Sequence, residues 1–390
     1  MTVGKEEILE LHKKKTGLLS IHSEFHIKNK TDLGMAYTPG VADVCKEISA
    51  HEEEADIYTM KGKTLAVITD GSAVLGLGNI GPKAGLPVVE GKSLIYKELA
   101  GVNAIPLCIN QVGAENIVNS IKNLAGSFGG IHLEDIKAPD CFTIEEQLKK
   151  ELSIPVYHDD QHGTAIAVLA ALYNAAKVVN KPFETLKVVI NGAGASGIAT
   201  AKLLQKAGID QIVMVDVNGA LVAGDEKLNF AQQAIAKSTN PEGKSGKLEE
   251  VIADQDVFIG LSVSHVLTKE MVEKMAKDAI IFALANPRPE ILPEDAYAGG
   301  ARIVATGGSN YPNQINNILV FPGLFKGLLD AKATDLTDEL KIIVAQQIAE
   351  MIKDPVEEKI IPGIFDGGVV ELVSKIVFES LRKQPVQKFD

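Results

Sequence analysis

Short apolar runs alternate along the chain with longer stretches of helical spacing, and this alternation sets the expected architecture. Residues 5–15 carry Ile8, Leu9 and Leu11 among charges, the pattern of a short amphipathic helix. Tyr37 precedes Pro39-Gly40, a turn signal that puts it outside a helix. The run 64–69 reads as a buried strand ending at Asp70-Gly71. A helical pattern begins at Glu90-Gly91-Lys92-Ser93 and continues through Leu94, Ile95 and Leu99. Strand 104–108, helix 114–124, strand 130–133, helix 142–152 and a short strand 155–157 follow. The weakly polar run 165–179 includes Asn174 and Lys177 and is too short to span a bilayer, so it reads as a buried helix.

The second half repeats the theme. Strand 186–191 enters Gly192-x-Gly194-x-x-Gly197 directly. Helix 198–206 and strand 211–215 come next, with Asp216 at the strand's end. Strands 257–261, 279–285 and 303–305 follow, the second of them leading into Asn286-Pro287. From 324 to 377 the pattern is mostly helical, broken at Pro355 and Pro362. Repeated β-α alternation predicts parallel sheets. The expected fold is α/β: an N-terminal α/β catalytic domain over 1–160, then a Rossmann-type doubly wound dinucleotide-binding domain with C-terminal helices over 161–390.

Ligands of open α/β sheets gather outside the carboxyl ends of the strands. Three clusters fall there. Glu134 and Asp135 follow strand 130–133, Asp159 and Asp160 follow strand 155–157, and the glycine loop follows strand 186–191. Strand, glycine loop, helix, strand and acid occur in the order of a dinucleotide fingerprint, with 19 positions from Gly197 to Asp216. Pyrophosphate belongs on the helix N-terminus, beside Ala195 and Ser196. Asp216 would accept from the ribose hydroxyls and repel a 2′-phosphate, which favours NAD over NADP. Gly76, Gly78 and Gly81 spell the same motif, but no strand ending in an acid follows, and Glu98 lies inside a helical pattern. That loop reads as part of the substrate side.

The acidic pairs suit a hard cation, Mg²⁺ or Mn²⁺. His158 and His162 raise zinc, but a helix starting near Gln161 would put them on either side of a turn, and oxygen ligands outnumber nitrogens. The plain alternative for Asp159 or Asp160 is a helix cap. Lys92, near an expected helix N-terminus, reads either as a surface lysine or as a base with a lowered pKa. Asn313, Gln314, Asn316 and Asn317 read either as amides for a carboxylate or carboxamide ligand or as a polar loop.

Composition narrows the class. A net charge of −12 argues against nucleic acid or anionic membrane as partners. Three scattered cysteines, Cys45, Cys108 and Cys141, give neither a disulfide framework nor metal-ligand spacing, as suits the reducing cytoplasm. The charged first residues lack an apolar signal core.

Over roughly residues 30–330 the chain resembles the malic enzyme family in its shorter microbial form. The motifs that carry the resemblance are Tyr-Thr-Pro-Gly-Val-Ala, Thr-Asp-Gly-Ser-Ala-Val-Leu-Gly-Leu-Gly-Asn-Ile-Gly, Gly-Lys-Ser-Leu, Leu-Glu-Asp-Ile, His-Asp-Asp-Gln-His-Gly-Thr-Ala, Asn-Gly-Ala-Gly-Ala-Ser-Gly, Ala-Asn-Pro and Tyr-Pro-Asn-Gln-Ile-Asn-Asn, in this order. The resemblance implies a homodimeric enzyme that converts L-malate to pyruvate and CO₂ with NAD and a divalent cation. It implies Tyr37 as general acid and Lys92 as general base. It also implies Glu134, Asp135 and Asp160 as metal ligands, with Asp159 in support. Asn286 and Asn317 correspond to the amides that hold malate, Asn286 also bordering the cofactor. Two positions depart from the pattern. Ala73 stands where longer relatives have an arginine, and Gly308 where many short relatives have Thr-Gly-Arg-Ser.

Overall fold

The computed structural model describes residues 4–74 and 76–383. Strands β1 (Thr64–Thr69), β2 (Asn103–Cys108), β3 (Gly130–Glu134) and β4 (Val156–His158) form a parallel sheet ordered β2-β1-β3-β4. Strands β5 (Val188–Asn191), β6 (Ile212–Asp216), β7 (Gly219–Ala220), β8 (Val257–Gly260), β9 (Ala279–Ala283) and β10 (Ala301–Thr306) form a second, ordered β10-β9-β8-β5-β6-β7. Among the described strands only β7 runs antiparallel, against β6. The near-continuous apolar runs of β1 and β5 are buried along their length, as parallel strands covered on both faces require.

Both sheets share one topological feature. The chain places a strand on one side of the first strand, then crosses to the other side. The strand order therefore reverses between β1 and β3, and again between β5 and β8. A crevice opens at the carboxyl ends of such a strand pair.

The Asp159–Val178 helix connects the sheets, and its residues 165–172 are all buried. One apolar core runs from Leu65 and Val67 through Ile166 and Leu169 to Val188 and Ile190. A helix apolar all round belongs inside. Its Asn174 is tolerated there because Nδ2 donates to the carbonyls of Ala349 and Ile360. Helices Phe321–Asp330, Asp338–Glu350 and Val369–Lys383 end the described chain. The first of them returns to the N-terminal sheet, where the Phe321 and Phe325 rings lie 4.9 and 5.8 Å from that of Tyr96.

Helix starts differ from the sequence reading. The Lys92 helix spans Pro82–Ala100, so Lys92 sits mid-helix and not near its N-terminus. Pro82 occupies the first turn, where a missing N–H costs nothing. Gly85 lets the helix lie against β1, since a Cβ there would stand 3.3 Å from Thr69 Cγ2. The helix after β4 begins at Asp159, with His158 as a cap residue that makes no side-chain cap bond. The helix after the glycine loop begins at Ala195.

The first helices, Lys5–Lys15, Lys30–Ala36 and Val41–Ala50, contain no buried residue. Among the described residues no helix is long and apolar enough to cross a membrane.

Candidate active site

The switch point of the first sheet gathers the acidic clusters. Glu134 ends β3, Asp135 follows it, and Asp160 lies in the first turn after β4. One carboxylate oxygen from each lies within 4.8 Å of the others. Asp135 turns its carboxyl into the group with φ +54°, a conformation that a short polar side chain tolerates. Its N–H donates to Asp160 Oδ2 at 2.9 Å, so Asp160 braces the β3 turn and does not cap its own helix. Burial and the charges of Asp160 and Glu134 push Asp135 well above the usual carboxylate range. Burial and Glu134 raise Asp160 as well. Two buried acids and a half-buried third that repel one another, all offering oxygen, form a donor set that fits a hard divalent cation.

Lys92 reaches the same place from mid-helix. Its Nζ lies 3.3 Å from Glu134 Oε1, pairs with Asp159, and sits 4.5 Å from the Phe321 ring centre. It is neither of the lysines expected from sequence. It is mostly buried, and although burial favours the neutral amine, Asp159 and Glu134 outweigh that and raise its pKa. Asp159 is fully buried and accepts from Tyr157 Oη at 2.7 Å. Gly163 permits close approach behind it, since a Cβ there would stand 2.6 Å from Tyr157 Oη and 2.9 Å from Asn317 Cβ. Asn317 is thereby brought beside Asp159.

The other candidates separate. Asn313 is structural: Nδ2 donates to the carbonyls of Val304 and Glu357, and Oδ1 accepts from Ile360 N–H. Gln314 donates to Gly307 O, and Asn316 caps the turn at Ile318. Asn317 makes no such side-chain bond among the described residues. The Gly76 loop lies against the backbone of Asn286, since a Cβ at Gly76 would stand 2.8 Å from the Asn286 carbonyl. Asn286 itself follows β9, with Nδ2 3.3 Å from Leu284 O. The Ala73 N–H donates to Asp135 O at 2.9 Å, beside the cluster, while Gly308 faces open space. His162 Nε2 bonds to Glu145 at 2.7 Å and His158 Nε2 lies 3.6 Å from Asp160, so neither joins a ligand-spaced cluster among the described residues. Tyr37 follows the Lys30–Ala36 helix, is 66% exposed, and is not hydrogen-bonded through its hydroxyl to any described group.

Sequence reasoning missed Glu145. Its buried carboxylate accepts from His158 N–H, Gln161 Nε2, His162 Nε2 and Lys149 Nζ, fixing the turn that carries Asp159 and Asp160. The signal was available: Cys141, Ile144, Glu145 and Leu148 form one buried helical stripe, and an acid within such a stripe needs partners.

The second switch point carries the glycine loop. A Cβ at Gly197 would collide with the Gly192 carbonyl, and one at Gly192, where φ is +125°, with the Leu261 carbonyl after β8. Gly194 has open space above it and precedes Ala195 and Ser196 in the first turn of the Ala195–Lys206 helix. Two glycines therefore serve packing, and the middle one leaves the helix N-terminus approachable. Asp216 ends β6 and accepts from Asn218 N–H at 2.7 Å.

The family description "Malic enzyme, NAD binding domain" matches residues 161–382, and "Malic enzyme, N-terminal domain" matches residues 19–116. The chain belongs to the malic enzyme family. Similar family members include the bifunctional malic/malolactic enzyme of Bacillus subtilis (strain 168), 50% identical over 98% of this chain and 94% of that protein. The NAD-dependent malic enzyme of Geobacillus stearothermophilus is 48% identical over 96% of this chain and 78% of that one. The crystal structure of malic enzyme from Pyrococcus horikoshii Ot3 superposes with a TM-score of 0.94 at 44% identity, covering 99% of this chain and 92% of that one.

Proposed function

We propose that this chain converts L-malate to pyruvate and CO₂, with NAD as hydride acceptor and Mg²⁺ or Mn²⁺ as the required cation. The observation that carries this reading is the mostly buried Lys92 set between Glu134 and Asp159, beside the Glu134–Asp135–Asp160 oxygens. A bound cation supplies Lewis acidity at the substrate hydroxyl, and bound NAD accepts the hydride.

Glu134, Asp135 and Asp160 hold the cation. Lys92 takes the hydroxyl proton of malate. Positive charge brought to the carboxylates cancels the field that keeps Lys92 protonated, and its burial then favours the neutral amine. Asn286 and Asn317 orient malate through their amides, and Asn286 also borders the nicotinamide. After CO₂ leaves, Tyr37 returns a proton to C3. The Gly192–Gly197 loop, with Ala195 and Ser196, receives the pyrophosphate, and Asp216 accepts from the ribose and repels a 2′-phosphate.

The reading includes a cytoplasmic homodimer. The three cysteines are free. Ile21, Met35, Tyr37 and Ile57 in the N-terminal arm are at least 60% exposed, a concentration of apolar surface that suits a second copy. Malate labelled at C4 tests the reaction. Label released as CO₂ in step with NADH supports it, and NADH growth with label retained in oxaloacetate sinks the decarboxylation.

A further inference from the structure

Behind the Lys92–Glu134 pair lies a second pair on the same two elements. Tyr96 stands one helical turn beyond Lys92, and His132 stands two residues before Glu134 on β3. Those spacings put Lys92 and Tyr96 on one helix face, and His132 and Glu134 on one strand face. The Tyr96 Oη to His132 Nδ1 distance is 2.8 Å, and His132 Nε2 lies 2.7 Å from Glu134 Oε2. An ionised carboxylate only accepts, so Nε2 carries the hydrogen and Tyr96 donates to Nδ1. Tyr96 and His132 are fully buried. The rings of Tyr96, Tyr157, Phe321 and Phe325 surround the imidazole with centres 5.6 to 6.1 Å away, so both bonds lie in an aromatic setting closed to bulk solvent. Among the described residues the chain of hydrogen bonds stops at Tyr96. It holds a tautomer and a direction.

We propose that Tyr96 and His132 are positioning residues that fix the Glu134 carboxylate, with Oε2 tied to the imidazole and Oε1 presented to Lys92 and the divalent cation. The inference rests on the reading of Glu134, Asp135 and Asp160 as the cation site. Nothing in the reaction passes through either side chain. Outer partners of this kind typically change metal affinity by about 10–100-fold.

The test is Mn²⁺ binding followed by the free-ion paramagnetic resonance signal, without substrate or turnover. Tyr96→Phe keeps the ring against Phe321 and removes only the hydroxyl. His132→Gln keeps an amide nitrogen at the Nε2 position, whereas His132→Asn moves it back to the Nδ1 position. We expect Tyr96→Phe and His132→Asn to weaken Mn²⁺ binding about tenfold or more, His132→Gln, which keeps the Nε2 donor but loses the acceptor of the Tyr96 hydroxyl, to weaken it no more than Tyr96→Phe and less than His132→Asn, and NADH binding to be unchanged in all three. Equal Mn²⁺ affinity in wild type, Tyr96→Phe and His132→Asn, with only thermal stability lowered, overturns the positioning role. Wild-type protein that binds NADH but no Mn²⁺ removes the cation-site reading and the dyad's role with it. If His132→Asn fails to fold, Tyr96→Phe decides alone.

Discussion

Lys92 and Asp135 share one burial and are pushed toward opposite needs. The carboxylates around Lys92 favour its charge, whereas the same carboxylates disfavour charge on Asp135. A divalent cation resolves both, which ties proton inventory to metal binding. With the Asp135 pKa raised, the metal-free site retains a proton that a cation must displace, so Mn²⁺ affinity falls as pH falls. Calorimetric titration in buffers of different ionisation enthalpy reads this directly. Proton release on Mn²⁺ binding is expected, and a heat independent of buffer contradicts it. For Lys92 itself, Lys92→Ala lowers turnover by about 10²–10⁴-fold while NADH fluorescence titration gives an unchanged affinity. Loss of NADH binding in that variant assigns Lys92 a structural role instead.

The elements that place these side chains were legible in part. Strand 64–69 and helix 114–124 appear at the bounds that apolar spacing predicted, because each is closed by its own turn signals. The start of the Lys92 helix was misplaced at Glu90, eight residues late, because the true helix carries Pro87 inside it while packed on β1. Sequence also left the four amides undivided. Which of them is spent on backbone partners depends on contacts with residues as distant as Glu357 and Ile360. That division gives opposite expectations for two neighbours. Asn313→Ala strands a buried carbonyl and an N–H, and lowers stability by about 3 kcal/mol in denaturant titration while leaving the malate KM intact. Asn317→Ala raises the malate KM and leaves the denaturation midpoint in place. A reversed pattern assigns the substrate contact to the wrong amide. Glu145 was missed for a different reason: its stripe spacing was visible, but two of its partners, Gln161 and His162, come from the Asp159–Val178 helix.

Across the whole molecule, two sheets with the same order reversal put an acidic crevice and a dinucleotide crevice in one chain, and the Asp159–Val178 helix joins them through a common core. The exposed N-terminal arm stands outside that core. Light scattering is expected to give about twice the 41.6 kDa chain mass, and Met35→Asp to shift it toward the single-chain value. A monodisperse single chain in the wild type removes the dimer. The measurement that bears most directly on the central claim is absorbance at 340 nm with purified protein, L-malate and Mn²⁺, run with NAD and with NADP, each repeated with EDTA. The account predicts growth with NAD, pyruvate as product, a much weaker signal with NADP, and silence in EDTA. Growth that persists in EDTA, or no growth from folded protein that binds NADH, contradicts it.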